Sequence, residues 1–271
     1  MNPAGQIPYL VAVQFHRFMG TGRTSPVLCG CEDSESQVAG DAVVKLRGGL
    51  DQGITGLVCE LVGSRLATYF GLDVPEAALV WIVPEFADVV AGLGAGGPGS
   101  AGARTIRTSV GLNFGTRLLR GMSNWPVDKP VPEKMHQTAL EVFAFDALIQ
   151  NPDRRFNNTN LLTQGDRIVL FDHELAFSFL LDILPSTSPW RVEEQTYLTE
   201  HVFFRLLRSR VVDLARFESL LAELAGPSLD GILAAVPPEW NNESLEKIEQ
   251  HLRVLSAHAS EFAEAVRRRL A

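Results

Sequence analysis

The stretch that most constrains the fold is residues 150–177, QNPDRRFNNTNLLTQGDRIVLFDHELAF. Asparagines, aspartates and arginines crowd its first half, and IVLF near its end is as apolar as a core strand. Before it, PEKMHQTALEVFAFDALIQ at 132–150 opens with Pro and Glu, good first-turn residues, and becomes apolar on several sides. That pattern predicts a buried helix. The helix must stop at Asn151–Pro152, because a residue preceding proline is pushed out of the α region. LL at 161–162 and IVLF at 168–171 predict two short strands joined by a turn through Gly165 and Asp166. A hairpin returns the chain to its start. Asp153, Asn158 five residues on, and Asp172 nineteen residues after Asp153 can therefore meet at one spot.

Carboxylates gathered in this way repel one another and are costly to bury unpaired. A divalent cation resolves that conflict. Mg²⁺ takes hard oxygen ligands, commonly one or two carboxylates plus phosphate oxygens and water, and an Asn carbonyl is compatible with such a set. A further Asp can then orient a hydroxyl nucleophile. A loop Asp, an Asn about five residues later and a second Asp after a short hairpin is the arrangement phosphoryl transfer uses.

The N-terminal part supplies the complement. PYLVAVQF at 8–15, VLCGC and AVVKL at 42–46 predict two or three antiparallel strands, with the loop GTGRTSP at 20–26 between the first two. Lys45 lies inside AVVKL, and Glu60 follows fifteen residues later on TGLVCELVGSRLATYFG (55–71), whose apolar spacing predicts a helix stopped by Gly71. A strand Lys held by a helix Glu is how kinases address nucleotide phosphates. The 20–26 loop can cover those phosphates with backbone N–H groups. ALVWIV at 78–83 predicts another strand. AGLGAGGPGSAGA at 91–103 reads as a mobile linker or lid. Beyond 190 the chain reads as helical, and apolar positions from Leu245 to Val266 predict one amphipathic helix over 244–270, ending in Arg267, Arg268 and Arg269. Those arginines read as a solvated helix end that favours the dipole.

The net charge of −8 argues against a general nucleic-acid binder, which needs Lys and Arg to neutralise phosphates. Cys29, Cys31 and Cys59 are too few and wrongly spaced for a disulfide framework or a zinc site, and read as reduced thiols. The N-terminus lacks the basic region of a signal peptide, and no window has the apolar length of a membrane span, so the expected compartment is the cytoplasm.

Taken in order along one chain, these pieces resemble the HipA-like kinases, a branch of the protein-kinase-like fold close to the phosphoinositide 3/4-kinase type. The resemblance rests on AVVKL around Lys45, on CELVGSRLATYFGLDVPEAALV at 59–80, on NPDRRFNNTNLL at 151–162 and on IVLFDHELAF at 168–177. It implies an α+β, two-lobed protein-kinase-like fold with a β-rich N-lobe over 1–85, a Gly-rich connecting segment over 86–131, and a catalytic, mainly helical C-lobe over 132–271. It implies ATP and Mg²⁺ as cofactors. Asp153 would position or deprotonate the acceptor hydroxyl, Asn158 and Asp172 would hold Mg²⁺, and Lys45 would contact the α/β-phosphates with Glu60 as its partner. Gly20, Thr21, Gly22, Thr24 and Ser25 would lie in the phosphate-covering loop, with Thr21, Thr24 and Ser25 as autophosphorylation positions. Residues 72–83, with IVPEF after them, would form the hinge that meets adenine. The acceptor would be a protein Ser or Thr, and a small antitoxin-type regulator is the partner the resemblance suggests. Arg155 stands where a His often follows the Asp-Arg pair. The length implies a minimal kinase core, without the N-terminal subdomain of the full-length toxin kinases. A pseudokinase that binds nucleotide or a partner without turnover, a small-molecule or lipid kinase, and a non-nucleotide metal site are the alternatives.

Overall fold

The computed structural model describes residues 6–19, 24–33, 35, 37–93, 101–127, 129–183 and 188–271. The chain is α+β and divides into two compact units. One holds the described residues up to Leu61 together with Pro75–Arg120, and the other holds Val62–Val74 and Gly121–Ala271.

The first unit is a closed five-stranded barrel with strand order β1-β2-β3-β5-β4. Its strands are β1 (Tyr9–Phe18), β2 (Val27–Glu32), β3 (Val38–Lys45), β4 (Ala77–Ile82) and β5 (Gly111–Arg117). Their inward residues recur at every second position: Leu10 and Ala12, Val27, Cys29 and Cys31, Ala42 and Val44, Ala78, Val80 and Ile82. This is the period of a strand with one buried face. All neighbouring pairs are antiparallel except β1 with β4, which is parallel. Closure removes sheet edges. Two helices, α2 (Pro84–Leu93) and α3 (Ala101–Thr108), add Phe86, Ala87, Val90, Ala91, Ala103 and Ile106 to the same core. All three cysteines are free buried thiols.

Three sequence expectations change here. Residues 86–131 are not a connecting segment, because Gly111–Arg117 pairs on both sides, with β3 and with β4. The Gly-rich 91–103 stretch is trimmed by helix at each end, α2 reaching Leu93 and α3 starting at Ala101, and its centre lies outside the described residues. The 72–83 segment with IVPEF is not one connecting stretch: the division between the units falls at Val74–Pro75 inside it, Ala77–Ile82 is a barrel strand and Pro84 opens α2.

Helix α1 (Ile54–Tyr69) runs across the division between the units. The second unit continues with β6 (Ser123–Asn124), α4 (His136–Leu148), β7 (Leu161–Gln164) and β8 (Arg167–Leu170), where β6, β7 and β8 form one antiparallel sheet. The β7–β8 turn runs through Gly165 and Asp166 as expected, with Gln164 opposite Arg167. Helix α4 is buried on nearly every side from Ala139 to Leu148. Short helices follow: α5 (Phe204–Leu207), α6 (Ala215–Glu223) and α7 (Pro227–Leu233), interleaved with 3₁₀ turns. The expected single C-terminal helix is two, α8 (Glu243–Ala257) and α9 (Ala259–Leu270), because His258 leaves helical geometry at φ −119° and ψ 35°. Its ring stacks on Trp190, with centroids 3.8 Å apart. An aromatic column holds this unit's helices together: Phe70 stacks on Phe217 at 4.4 Å, and Phe217 meets Phe262 at 6.2 Å. The C-terminal arginines are consumed locally. Arg267 pairs with Glu218, Arg268 pairs with Glu193, and Arg269 donates to the carbonyls of Gln195 and Thr196.

Candidate active site

In the barrel unit, β3 ends on Lys45, and its ammonium forms an ion pair with the Glu60 carboxylate on α1. Both are buried, the side chains keeping 10% and 2% of their exposure. A charge taken out of water at this depth needs an opposite charge beside it, and the sequence provides it at the spacing expected. Of the loop between β1 and β2, Gly20, Thr21 and Gly22 lie outside the described residues, while Thr24 and Ser25 lie within them. Ser25 has φ +45°, a left-handed conformation uncommon for a residue with a side chain. The Thr24 carbonyl lies against Gly49, four residues past Lys45, so closely that a Cβ on Gly49 would stand 2.9 Å from it. The two loop ends therefore approach each other because position 49 is glycine.

In the second unit, Asn151, three residues past the end of α4, accepts the Asp153 backbone N–H on its side-chain oxygen, at 3.1 Å. The Asp153 carboxylate is then held from two sides. Its Oδ2 accepts the side-chain amides of Asn158 and of Asn160, each at 2.9 Å, and its Oδ1 accepts from Arg155 at 3.0 Å. The structure thus brings Asn158 to Asp153 as the spacing suggests. It adds Asn160, to which the sequence analysis assigns no role. The available signal was the repeat N-x-N just after Asp153, two amides close in sequence to one carboxylate. Asn160 has φ +46°, and Asp172, directly after the β8 strand and Phe171, has φ +62°. Left-handed backbone at two non-glycine positions costs energy and is concentrated where function demands it. The His173 side chain packs close to α1, where a Cβ on Gly63 would lie 2.7 Å from that of His173.

Behind the loop sits a buried network that sequence reasoning did not identify. Asp146 on α4 has no exposure. It accepts from Asn151 at 3.0 Å, from Arg154 Nε at 2.7 Å and from His201 Nε2 at 2.9 Å. Phe203 N–H donates to His201 Nδ1 at 3.1 Å, which places the His201 proton on Nε2. Burial pushes the Asp146 carboxyl up, but the Arg154 charge and the His201 and Arg154 hydrogen bonds outweigh it and hold the group below the usual range. Burial lowers the His201 value, against the opposing pull of Asp146, and favours the neutral ring. The signal for this network was an aspartate in a helix apolar all round, which demands a buried cationic partner.

Chemically, the donor set suits a hard cation. Among the described residues no group of three or more His, Cys, Asp or Glu side chains gathers to hold a metal. One carboxylate from Asp172 and an amide oxygen from Asn158 do fit Mg²⁺, which takes its remaining ligands from phosphates and water.

The chain belongs to the HipA-like kinases, whose family model matches residues 12–266. It is a kinase by family and so a phosphotransferase. No curated protein matches its sequence. Its structure is similar to the crystal structure of the Helicobacter pylori proinflammatory kinase CtkA, with a TM-score of 0.53 and 10% identity over 98% of this chain and all of that one. At that identity the likeness is one of fold. The MAP kinase LmaMPK10 from Leishmania major is a more distant match, with a TM-score of 0.34 and 12% identity over 94% of this chain and 81% of that one. No helix among the described residues is long and apolar enough to cross a membrane.

Proposed function

We propose that this HipA-like kinase transfers the γ-phosphoryl group of ATP, with Mg²⁺, to a Ser or Thr hydroxyl of a protein, within a two-lobed kinase arrangement. The observation that carries the reading is the Asp153 carboxylate, oriented by two side-chain amides on one oxygen. A structural turn has no need to fix a carboxylate twice. A group that must meet an incoming hydroxyl in one geometry does.

In this reading Asp153 accepts the hydroxyl proton as the acceptor oxygen attacks. Asn158 and Asp172 hold Mg²⁺, which when bound neutralises charge on the phosphates. Lys45 binds the α/β-phosphates and Glu60 keeps its ammonium in place. The 20–25 loop covers the phosphates, and Thr21, Thr24 and Ser25 are the nearest hydroxyls in sequence for self-modification. An antitoxin-type protein partner is part of the same proposal and draws only on the family resemblance.

Intact mass after incubation with Mg²⁺ and ATP tests the reading. Wild type gains phosphate, and Asp153→Ala loses at least about a hundredfold in rate while still binding nucleotide. Equal transfer by both proteins would remove Asp153 from the mechanism. Lys45→Ala weakens nucleotide affinity, and unchanged nucleotide kinetics would remove Lys45. A second reading, a nucleotide-binding module without turnover, has one observation in its favour: Arg155 occupies Asp153 Oδ1. Under that reading wild type binds Mg·ATP without transfer, and Arg155→Ala restores measurable transfer.

A further inference from the structure

Arg154 is among the largest fully buried side chains of the protein. A cation so deep has more to do than pair with Asp146, and its hydrogen bonds show where Nη1 goes. While Nε donates to Asp146 on α4, Nη1 donates to the backbone carbonyl of Asn160 and, at 3.3 Å, to that of Phe171. The Phe171 N–H in turn donates to the same Asn160 carbonyl at 3.2 Å. One guanidinium thus touches the peptide that leads into Asp172 and the residue whose amide holds Asp153. Asn160 and Asp172 are both in the left-handed region. Such backbone persists only where its surroundings over-determine it. The Val202 N–H donates to the Arg154 carbonyl at 3.1 Å, so the arginine's own backbone is also fixed.

We propose that Arg154 is a positioning residue: its guanidinium locks the Asn160 and Phe171–Asp172 backbones to α4, setting Asp172 and Asn160 in register with Asp153. The proposal rests on the phosphotransfer reading for its purpose, but the lock itself can be tested without it. A planar fork can hold a carboxylate and two carbonyls at once, whereas an ammonium on a flexible stem cannot reproduce that geometry.

The test compares full-length wild type, Arg154→Lys and His201→Gln. His201→Gln disturbs Asp146 but leaves the guanidinium in place, and so controls for general loosening of the network. Two quantities are read. The first is hydrogen exchange of peptides covering 157–163 and 168–175. The second is the affinity for Mn²⁺ in the presence of ADP, followed by water-proton relaxation. Arg154→Lys is expected to speed exchange in those two peptides at least tenfold, with α4 keeping wild-type protection, and to weaken Mn²⁺ binding tenfold or more. His201→Gln is expected to lower the melting temperature and leave Mn²⁺ affinity unchanged. Where Arg154→Lys yields too little folded protein, Asp146→Glu moves the carboxylate, keeps the charge and is expected to give the same two effects. Wild-type exchange in both peptides of the Arg154 variant would overturn the proposal. So would an equal loss of Mn²⁺ affinity in His201→Gln, since the effect would then be general softening. If wild type binds no Mn²⁺ with ADP yet Arg154→Lys still frees the two peptides, the lock stands and the phosphotransfer reading falls.

Discussion

Two buried ion pairs, one in each unit, are built on different plans. Lys45–Glu60 joins a strand end to a helix through a compact ammonium, and the Lys side chain keeps 10% of its exposure. Arg154–Asp146 has no exposure on either side, and its two partners engage Asn151, His201, Asn160 and Phe171 as well. A lysine is a point charge on a flexible stem and an arginine a rigid fork. The first plan keeps its positive charge on a stem that can move. The second ties its charges both to neighbouring side chains, Asn151 and His201, and to the backbone carbonyls of Asn160 and Phe171. The molecule thus separates a charge on a movable stem from a charge that fixes geometry.

Removing one partner from each pair gives the largest expected effects and the sharpest test of that contrast. Asp146→Asn leaves Arg154 as a buried charge without its counter-ion and should cost about 3–5 kcal/mol of unfolding free energy. Glu60→Gln should cost less, about 1–2 kcal/mol, because the long Lys45 stem can carry its ammonium toward water. Urea titrations of both variants decide the matter. Equal losses would mean that Lys45 is tied to the fold no less firmly than Arg154.

Acid should discriminate between the units next. The barrel unit has one histidine, His16, partly exposed beside Asp41, whereas the other unit buries His173, His201 and His251. Burial lowers His251 to about 4, against the raising effect of its bond to the Leu148 carbonyl. Above its ordinary value of 6.5 the ring is neutral in both states and stability is unaffected. As pH falls from there toward about 4, the unfolded chain takes a proton that the folded chain refuses, so stability drops. The loss from this residue approaches roughly 3 kcal/mol, and the His201 shift acts in the same direction. Urea midpoints at pH 7, 5.5 and 4 should fall steadily, and His251→Gln should flatten the curve. A midpoint independent of pH in wild type would contradict the buried, neutral ring.

Legibility in the sequence followed physical period and local chemistry. Strands β1 to β4 were readable as short apolar runs rich in β-formers, and the Lys45–Glu60 and Asp153–Asn158 contacts from the spacing of those residues along the chain. The strand β5 was not, since GLNFGTR mixes glycine, asparagine and threonine and is held in the barrel by pairing on both sides rather than by pattern. Nor was the break at His258, where no proline or glycine marks a stop and tertiary stacking on Trp190 accompanies the turn. Asp146 and Arg154 were visible as letters, but their pairing depends on the loop folding back under α4. Short-range spacing does not show that.

The smallest expected effect calibrates the others. Arg268 at the end of α9 pairs with Glu193 at 2.6 Å, and both side chains are well exposed, at 54% and 39%. Water and salt screen such a pair, and holding two long side chains still costs entropy, so Arg268→Ala should change stability by less than about 0.5 kcal/mol. The same urea titration measures it, and raising the salt concentration should shrink even that value. A larger loss would mean that the C-terminal arginines anchor α9 through their contacts with Glu193, Gln195 and Thr196. If Arg268→Ala and Glu60→Gln cost the same, the Lys45 pair would behave as a surface ion pair, and depth alone would not explain why the barrel places a lysine there. An ordering of Asp146, then Glu60, then Arg268 is what depth and the number of shared partners predict, because the penalty for an orphaned charge grows as water is excluded from it.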